Sequence, residues 1–163
     1  MNKYINFGNY YVFMKKLFNS TYKYLFYLPL VIIIFDQLTK YLITHFMQLH
    51  QSIPIIKNIF HLTYVSNTGT LFGMFQNANS IFIWLMLITI GAILYFYDKF
   101  DKNEAIVFAL VVGAAIGNLI DRLFHGFVID FLDFKIWPVF NVADIVVSCS
   151  VVFLLIYMFL KRD

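Results

Sequence analysis

Long apolar runs alternate with short polar breaks along this chain, and their lengths predict the elements. Residues 24–35 are twelve uncharged, mostly apolar positions, broken by Asp36-Gln37-Leu38-Thr39-Lys40 and resumed through Phe46. A secretory leader of that length would give way to small residues at a cleavage site; a run that resumes predicts a retained spanning helix over about 24–46. Residues 80–97 are eighteen uncharged, largely apolar positions, enough for a second span. Residues 105–124 make a third, apolar until Asn118, and 143–160 a fourth that stops at Lys161-Arg162. Residues 47–79 differ, being rich in turn formers (Pro54, Asn58, Asn67, Gly69, Gly73, Asn77, Asn79), and Ile59–Val65 alternates with period two. That pattern predicts short strands and a small β-cradle over about 52–76. The expected fold is an all-α membrane protein: four transmembrane helices with a small β-cradle between helices 1 and 2, in one integral membrane domain over 1–163.

Composition agrees. Hydrophobic residues are 61%, charged residues 13% and the mean hydropathy is +0.77, whereas soluble domains carry roughly 25% charged residues. The net charge of +3 suggests a nucleic-acid partner only until the basic residues are placed. Eight of the twelve Lys and Arg residues lie in 1–23, in the 98–104 loop or at the C-terminus; Lys40, Lys57, Arg122 and Lys135 lie on the opposite side. Basic residues favour the cytoplasm, so both termini are expected inside, with 1–23 as a basic segment on the inner surface. Asp36, Lys40, Asn67, Asn118, Asp121, Arg122, Asp130 and Asp144 then converge toward the outer face. Neither nucleic acid nor cofactor is expected.

Residues 128–144 hold three of the nine acidic residues, Asp130, Asp133 and Asp144, among aromatics and beside an apolar run. A carboxylate near the centre of a membrane helix costs about 2.5–3.5 kcal/mol, so such residues are functional candidates. Two carboxylates held close cannot both ionise; they share a proton and can divide acid and base roles. That suits amide hydrolysis without a metal or a covalent nucleophile, and points to an intramembrane aspartic protease. Asn141 and Asp144 also read as ordinary helix N-cap residues, where the helix dipole favours a carboxylate. Asp130 lacks that help and is the better proton holder. Asp133 competes for the partnership, although in an extended segment it points away from Asp130.

Asp36 and Lys40 stand i,i+4 and can pair, bracing a site or merely snorkelling. Gly113-Ala114-Ala115-Ile116-Gly117 permits close helix approach and leads along its faces to Asn118, Asp121 and Arg122. A metal site is not expected: His45, His50, His61 and His125 show no ligand spacing, and the single cysteine, Cys149, lies in an apolar run. No Ser-based hydrolase motif is present. The alternative is a non-enzymatic four-helix carrier or channel subunit with an acidic outer vestibule. A carrier would be expected to show broken helices or inverted repeats, and neither is found.

Taken together, the motifs resemble those of lipoprotein signal peptidase (signal peptidase II), the aspartic protease family of bacterial membranes. Asp36 through Lys40 resembles the family's first-helix D-x-x-[ST]-K. Asn67-Thr68-Gly69 with Phe72-Gly73 resembles its N-x-G-A-A-[FW]-G loop, and Gly113 through Arg122 its G-A-x-x-G-N-x-x-D-R. Val128-Ile129-Asp130-Phe131 and Phe140-Asn141-Val142-Ala143-Asp144 resemble its two aspartate motifs. The resemblance implies a metal-free catalytic dyad of Asp130 and Asp144, without Asp133. It implies an extracytoplasmic cradle and a site shaped by Asn67, Gly69, Asn118, Arg122 and Asn141; Asp36, Lys40 and Asp121 are expected to shape the site with them. It further implies lipid-modified prolipoprotein substrates cut before a diacylglyceryl-cysteine in the bacterial plasma membrane; membrane lipid is an expected partner, and a monomer is expected. Ser66, Thr70 and Leu71 depart from the family's basic residue and two small residues, which bears on specificity. The Asn67–Gly73 stretch is expected to cover the site, as a lid or as a rigid part of the cradle.

Overall fold

The computed structural model describes residues 22–69 and 79–161. Most of the basic segment expected over 1–23, and Thr70 through Gly73 of the expected covering loop, lie outside these residues.

Among the described residues, four helices are long and apolar enough to cross a membrane. They are α1 (Tyr22–Phe46), α2 (Asn79–Phe96), α3 (Lys102–Phe124) and α4 (Val142–Leu160); a 3₁₀ turn, Tyr97–Lys99, follows α2. α3 is the central helix and packs against each of the other three. Its buried positions explain why: Ala105, Ala109, Gly113, Ala114 and Gly117 let neighbouring backbones approach. A Cβ at Gly113 would stand 2.7 Å from Pro29 Cα, and one at Gly117 would stand 2.5 Å from Asp36 Oδ2. The G-x-x-x-G seam is therefore the α1–α3 contact. α2 and α4 bury few residues and turn large apolar side chains outward, as lipid-facing helices do.

The polar end begins with a hairpin, β1 (Ser52–Ile56) and β2 (Phe60–Asn67), turned with Asn58 at φ 62°. A third antiparallel strand, β3 (Val128–Asp133), follows α3 and pairs with β2 in the order β1-β2-β3. The sheet thus sits between α1 and α2 in sequence but takes its last strand from the segment between α3 and α4. Val65 lies opposite Asp130 and Asn67 opposite Val128. Ile129 and Phe131 pack with Ile43 of α1 and with Met47 just past its end, and Leu62, Tyr64 and Val142 close around them. This cluster seats the sheet on the end of α1, and β3 carries Asp130 to the mouth of the bundle.

At the other end, Asp101 caps α3, accepting from Asn103 and Glu104 N–H, while Glu104 returns to the Asp101 N–H. Tyr157 Oη of α4 and Nζ of Lys161, the residue that ends it, reach the same Asp101 carboxylate, at 2.9 and 2.6 Å.

Candidate active site

The site is built outward from a buried lysine. One helical turn separates Asp36 from Lys40, so both side chains leave α1 on the face against α3. Lys40 Nζ lies 2.8 Å from Asp36 Oδ2, 2.8 Å from Asp121 Oδ2 and 2.8 Å from Asn118 Oδ1. An ammonium has three protons, and all three are used. The three charged groups are at most 1% exposed, a burial tolerable only with every lone pair and proton matched. The match is close. Asp121 also accepts from the Ile129 N–H at 3.0 Å and from Gln37 Nε2 at 2.9 Å. Asp36 Oδ1 accepts from the Ala143 N–H at 3.1 Å, placing a carboxylate at the N-terminus of α4, where the helix dipole welcomes it.

Asp130 and Asp144 come next. Asp130, on β3, is 2% exposed; it accepts from Asn67 Nδ2 at 2.8 Å and from Asn141 Nδ2 at 2.7 Å, one on each oxygen. Asp144 is the third residue of α4 and closes a capping box with Asn141. The Asp144 N–H donates to Asn141 Oδ1 at 3.1 Å, and the Asn141 N–H donates to Asp144 Oδ2 at 3.2 Å. Its other oxygen accepts from Asn118 Nδ2 at 3.1 Å. Asn141 therefore touches both carboxylates, one through its side chain and the other through its backbone. Burial pushes the Asp130 carboxyl up to about 7, the nearby Asp144 charge adds to this, and the Asn67 and Asn141 donors only partly oppose it.

Asp133 has other partners. Thr63 Oγ1 donates to it at 2.6 Å, and Lys135 pairs with it through both its backbone N–H and its ammonium. Burial works to raise this carboxyl, but the Lys135 and Thr63 hydrogen bonds outweigh it and hold it below its ordinary value. Arg122 forms the rim. Its Nη2 donates to Gly69 O at 2.8 Å, its Nη1 to Asn79 Oδ1 at 3.1 Å, and its guanidinium lies over Phe82. Gly69 in turn donates its N–H to Asn67 Oδ1 at 3.0 Å. A largely apolar cavity of about 500 Å³, lined by Phe134, Trp137, Phe140 and Ser148 among others, opens onto Asp144.

All ten residues singled out from the sequence thus lie in one connected set of hydrogen bonds and ion pairs. Sequence reasoning passed over Gln37 and Asn79. Gln37 joins Asp121 to the Gly117 carbonyl at 3.1 Å, and Asn79 both receives Arg122 Nη1 and donates back to the Arg122 carbonyl. The available signal was position: a Gln three residues before the buried Lys40, and an Asn opening an apolar run.

Residues 28–160 match the family described as signal peptidase (SPase) II. A lipoprotein signal peptidase of Halothermothrix orenii is 42% identical over 131 residues, which are 79% of this chain and 90% of that protein. Another, of Moorella thermoacetica, is 42% identical over 130 residues, 78% of this chain and 87% of that one. Among solved structures, a bacterial membrane enzyme determined by the in meso method at 2.3 Å resolution is similar with a TM-score of 0.78. It is 29% identical, and the likeness covers 83% of this chain and 87% of that one.

Proposed function

Because the chain belongs to the signal peptidase II family, we propose that Asp130 and Asp144 are the two carboxylates with which it cuts its substrate. The activity is that of the family, removal of signal peptides from prolipoproteins by an aspartic mechanism, and the carrier or channel alternative is set aside. The observation supporting this dyad is Asn141, which binds Asp130 and Asp144 at once and so holds both to one frame. Metal chemistry has no part in the scheme.

Asp130, buried and raised to about 7, holds the shared proton, while Asp144, at the start of α4 with two N–H donors, is the base. Asp144 takes a proton from the attacking water as its oxygen bonds to the scissile carbonyl carbon. Asp130 gives its proton to the carbonyl oxygen, leaving a neutral tetrahedral diol. The C–N bond then breaks: Asp144 returns its proton to the leaving nitrogen, and Asp130 recovers one from the diol hydroxyl. The proton count closes and the dyad is reset. Asn67, Gly69, Asn118, Asn141 and Arg122 orient the pair and its approach, and the Asp36–Lys40–Asp121 set braces them from below.

Cleavage falls on the N-terminal side of a diacylglyceryl-modified cysteine, with the apolar cavity beside Asp144 on the path of the substrate's lipid-rich end. The whole chain acts as one multi-pass domain of the plasma membrane, a monomer among lipid, with both termini cytoplasmic and the site facing outward. The eight-to-four division of basic residues supports that orientation. Ser66, Thr70 and Leu71 tune which substrates fit, and the stretch from Asn67 to Gly73 covers the dyad during cleavage. The test is a cleavage assay on a lipidated precursor. Asp130→Asn and Asp144→Asn should each lose turnover while remaining folded in the membrane, and near-normal turnover by either would end the assignment.

A further inference from the structure

An Asn beside a carboxylate can present either end of its amide, since oxygen and nitrogen have nearly the same shape. In this site an obligatory donor decides the matter for each one. The Gly69 N–H takes Asn67 Oδ1 at 3.0 Å, leaving Nδ2 for Asp130. The Asp144 N–H takes Asn141 Oδ1 at 3.1 Å, leaving Nδ2 for Asp130 and for Asn118 Oδ1. For Asn118 the donors are two side chains, Asn141 Nδ2 at 3.1 Å and the closer, charged Lys40. Lys40, with no acceptor of its own, places its third proton on Asn118 Oδ1 at 2.8 Å and turns Nδ2 toward Asp144 at 3.1 Å.

We propose that Lys40 is a positioning residue for cleavage: through Asn118 it fixes the direction of the amide that serves Asp144, so that the dyad carboxylates are met by N–H donors. Without Lys40, only the neutral Asn141 Nδ2 donor at 3.1 Å still holds Asn118 Oδ1, and the amide turns its oxygen against the Asp144 carboxylate more readily, which favours protonating the base. A polarised chain of this kind also strengthens the last hydrogen bond in it. The inference rests on the reading of Asp130 and Asp144 as the dyad. The charged groups that bear on it are Asp36 on α1, Asp121 and Arg122 on α3, Asp130 on β3 and Asp144 on α4, with Tyr64 of β2 in the field of Asp121.

The test is the pH–rate profile of single-turnover cleavage by the full chain in lipid, using a diacylglyceryl-modified precursor peptide. Lys40→Met should move the acid limb upward by about one pH unit, the scale on which a lost charged partner acts. Its loss should appear in kcat more than in KM. In an Asn118→Ala background the same change should produce no further shift, because the two act as a unit. Lys40→Met alone leaves two carboxylates unpaired and threatens folding, so Asp36→Asn/Lys40→Met, which removes one charge of each sign, serves as companion and should show the same upward shift. A reduced kcat with an unmoved profile in both would make Lys40 a structural brace. Equal shifts with and without Asn118 would assign the effect to its field alone. Retained turnover by Asp130→Asn or Asp144→Asn would instead remove the dyad itself, whatever the Lys40 variants do.

Discussion

Asn141 donates from Nδ2 to Asp130 Oδ1 at 2.7 Å with both side chains buried, and this bond joins the start of α4 to the middle of β3. The same amide caps α4 through its oxygen, so stability and activity meet in one side chain but can be separated. Asn141→Ala should remove both and destabilise the protein by about 1 kcal/mol, the usual worth of an N-cap. Asn141→Ser should restore the cap without the reach to Asp130. Thermal unfolding of the serine variant should approach wild type while its cleavage rate stays at least about tenfold down, a barrier increase of about 1.4 kcal/mol. Recovery of both together would show that Asn141 matters only as a cap.

Removing one dyad member should be nearly as severe as removing both, since the two act as a unit. Asp130→Asn, Asp144→Asn and the double variant should therefore lose turnover to a similar extent. Asp133→Asn should keep most of its activity, because its partners are Thr63 and Lys135. Measured rate constants for the four proteins decide this, and a double variant far slower than either single one would contradict the shared-proton scheme.

The raised Asp130 carboxyl ties activity and stability to pH. It moves from an ordinary 3.8 to about 7 in the fold, chiefly by burial. An acid that binds its proton more tightly when folded contributes stability that is complete below its unfolded value and lost as pH rises through its folded one. Between pH 3.8 and about 7 the wild type should therefore lose thermal stability, and Asp130→Asn should flatten that slope. Cleavage by the wild type should fall above about pH 7, as the shared proton is lost. An activity plateau continuing well into the alkaline range would mean that Asp130 is not the proton holder.

Gly117 leaves no room for a side chain beside Asp36. Gly117→Ala must push α1 from α3 or displace the Asp36 carboxylate, and overpacking of this kind costs about 1–3 kcal/mol. Gly91 on α2 meets nothing among the described residues within 4 Å of an added Cβ, so Gly91→Ala is the matched control and should be neutral. Unfolding in detergent, followed by cleavage of the folded fraction, separates the two; equal behaviour of the pair would mean that the seam tolerates spreading.

Membrane orientation is open to direct labelling. A cysteine replacing Asn103, at the start of α3, should react only from the cytoplasmic side, and one replacing Asn58, in the β1–β2 turn, only from outside. The reverse pattern would invert the protein and its site.

Much of the fold was legible because membrane helices declare themselves by length and apolarity, and polar residues such as Asn118 stand out against such a background. The convergence of Asp36, Lys40, Asn118 and Asp121 could be read from their common depth. What could not be read was the pairing. Val128–Asp133 looked extended, but nothing local says that it lies against β2 with Val65 facing Asp130. Strand partners some 60 residues apart are set by the whole bundle. Gln37 was hidden for a similar reason: its neighbours Gly117 and Asp121 lie on another helix.

The capping box at the start of α4 has one more consequence. Asp144 is both the base of the proposed reaction and the acceptor that receives the Asn141 N–H. A protonated carboxyl is a poorer acceptor than a carboxylate, so taking the water's proton slackens the first turn of α4 during the step that makes the diol. Returning that proton to the leaving nitrogen tightens it again. The helix start thus registers the stage of the chemical cycle: firm in the resting enzyme, loosened while the intermediate exists, and firm once the severed ends are ready to part.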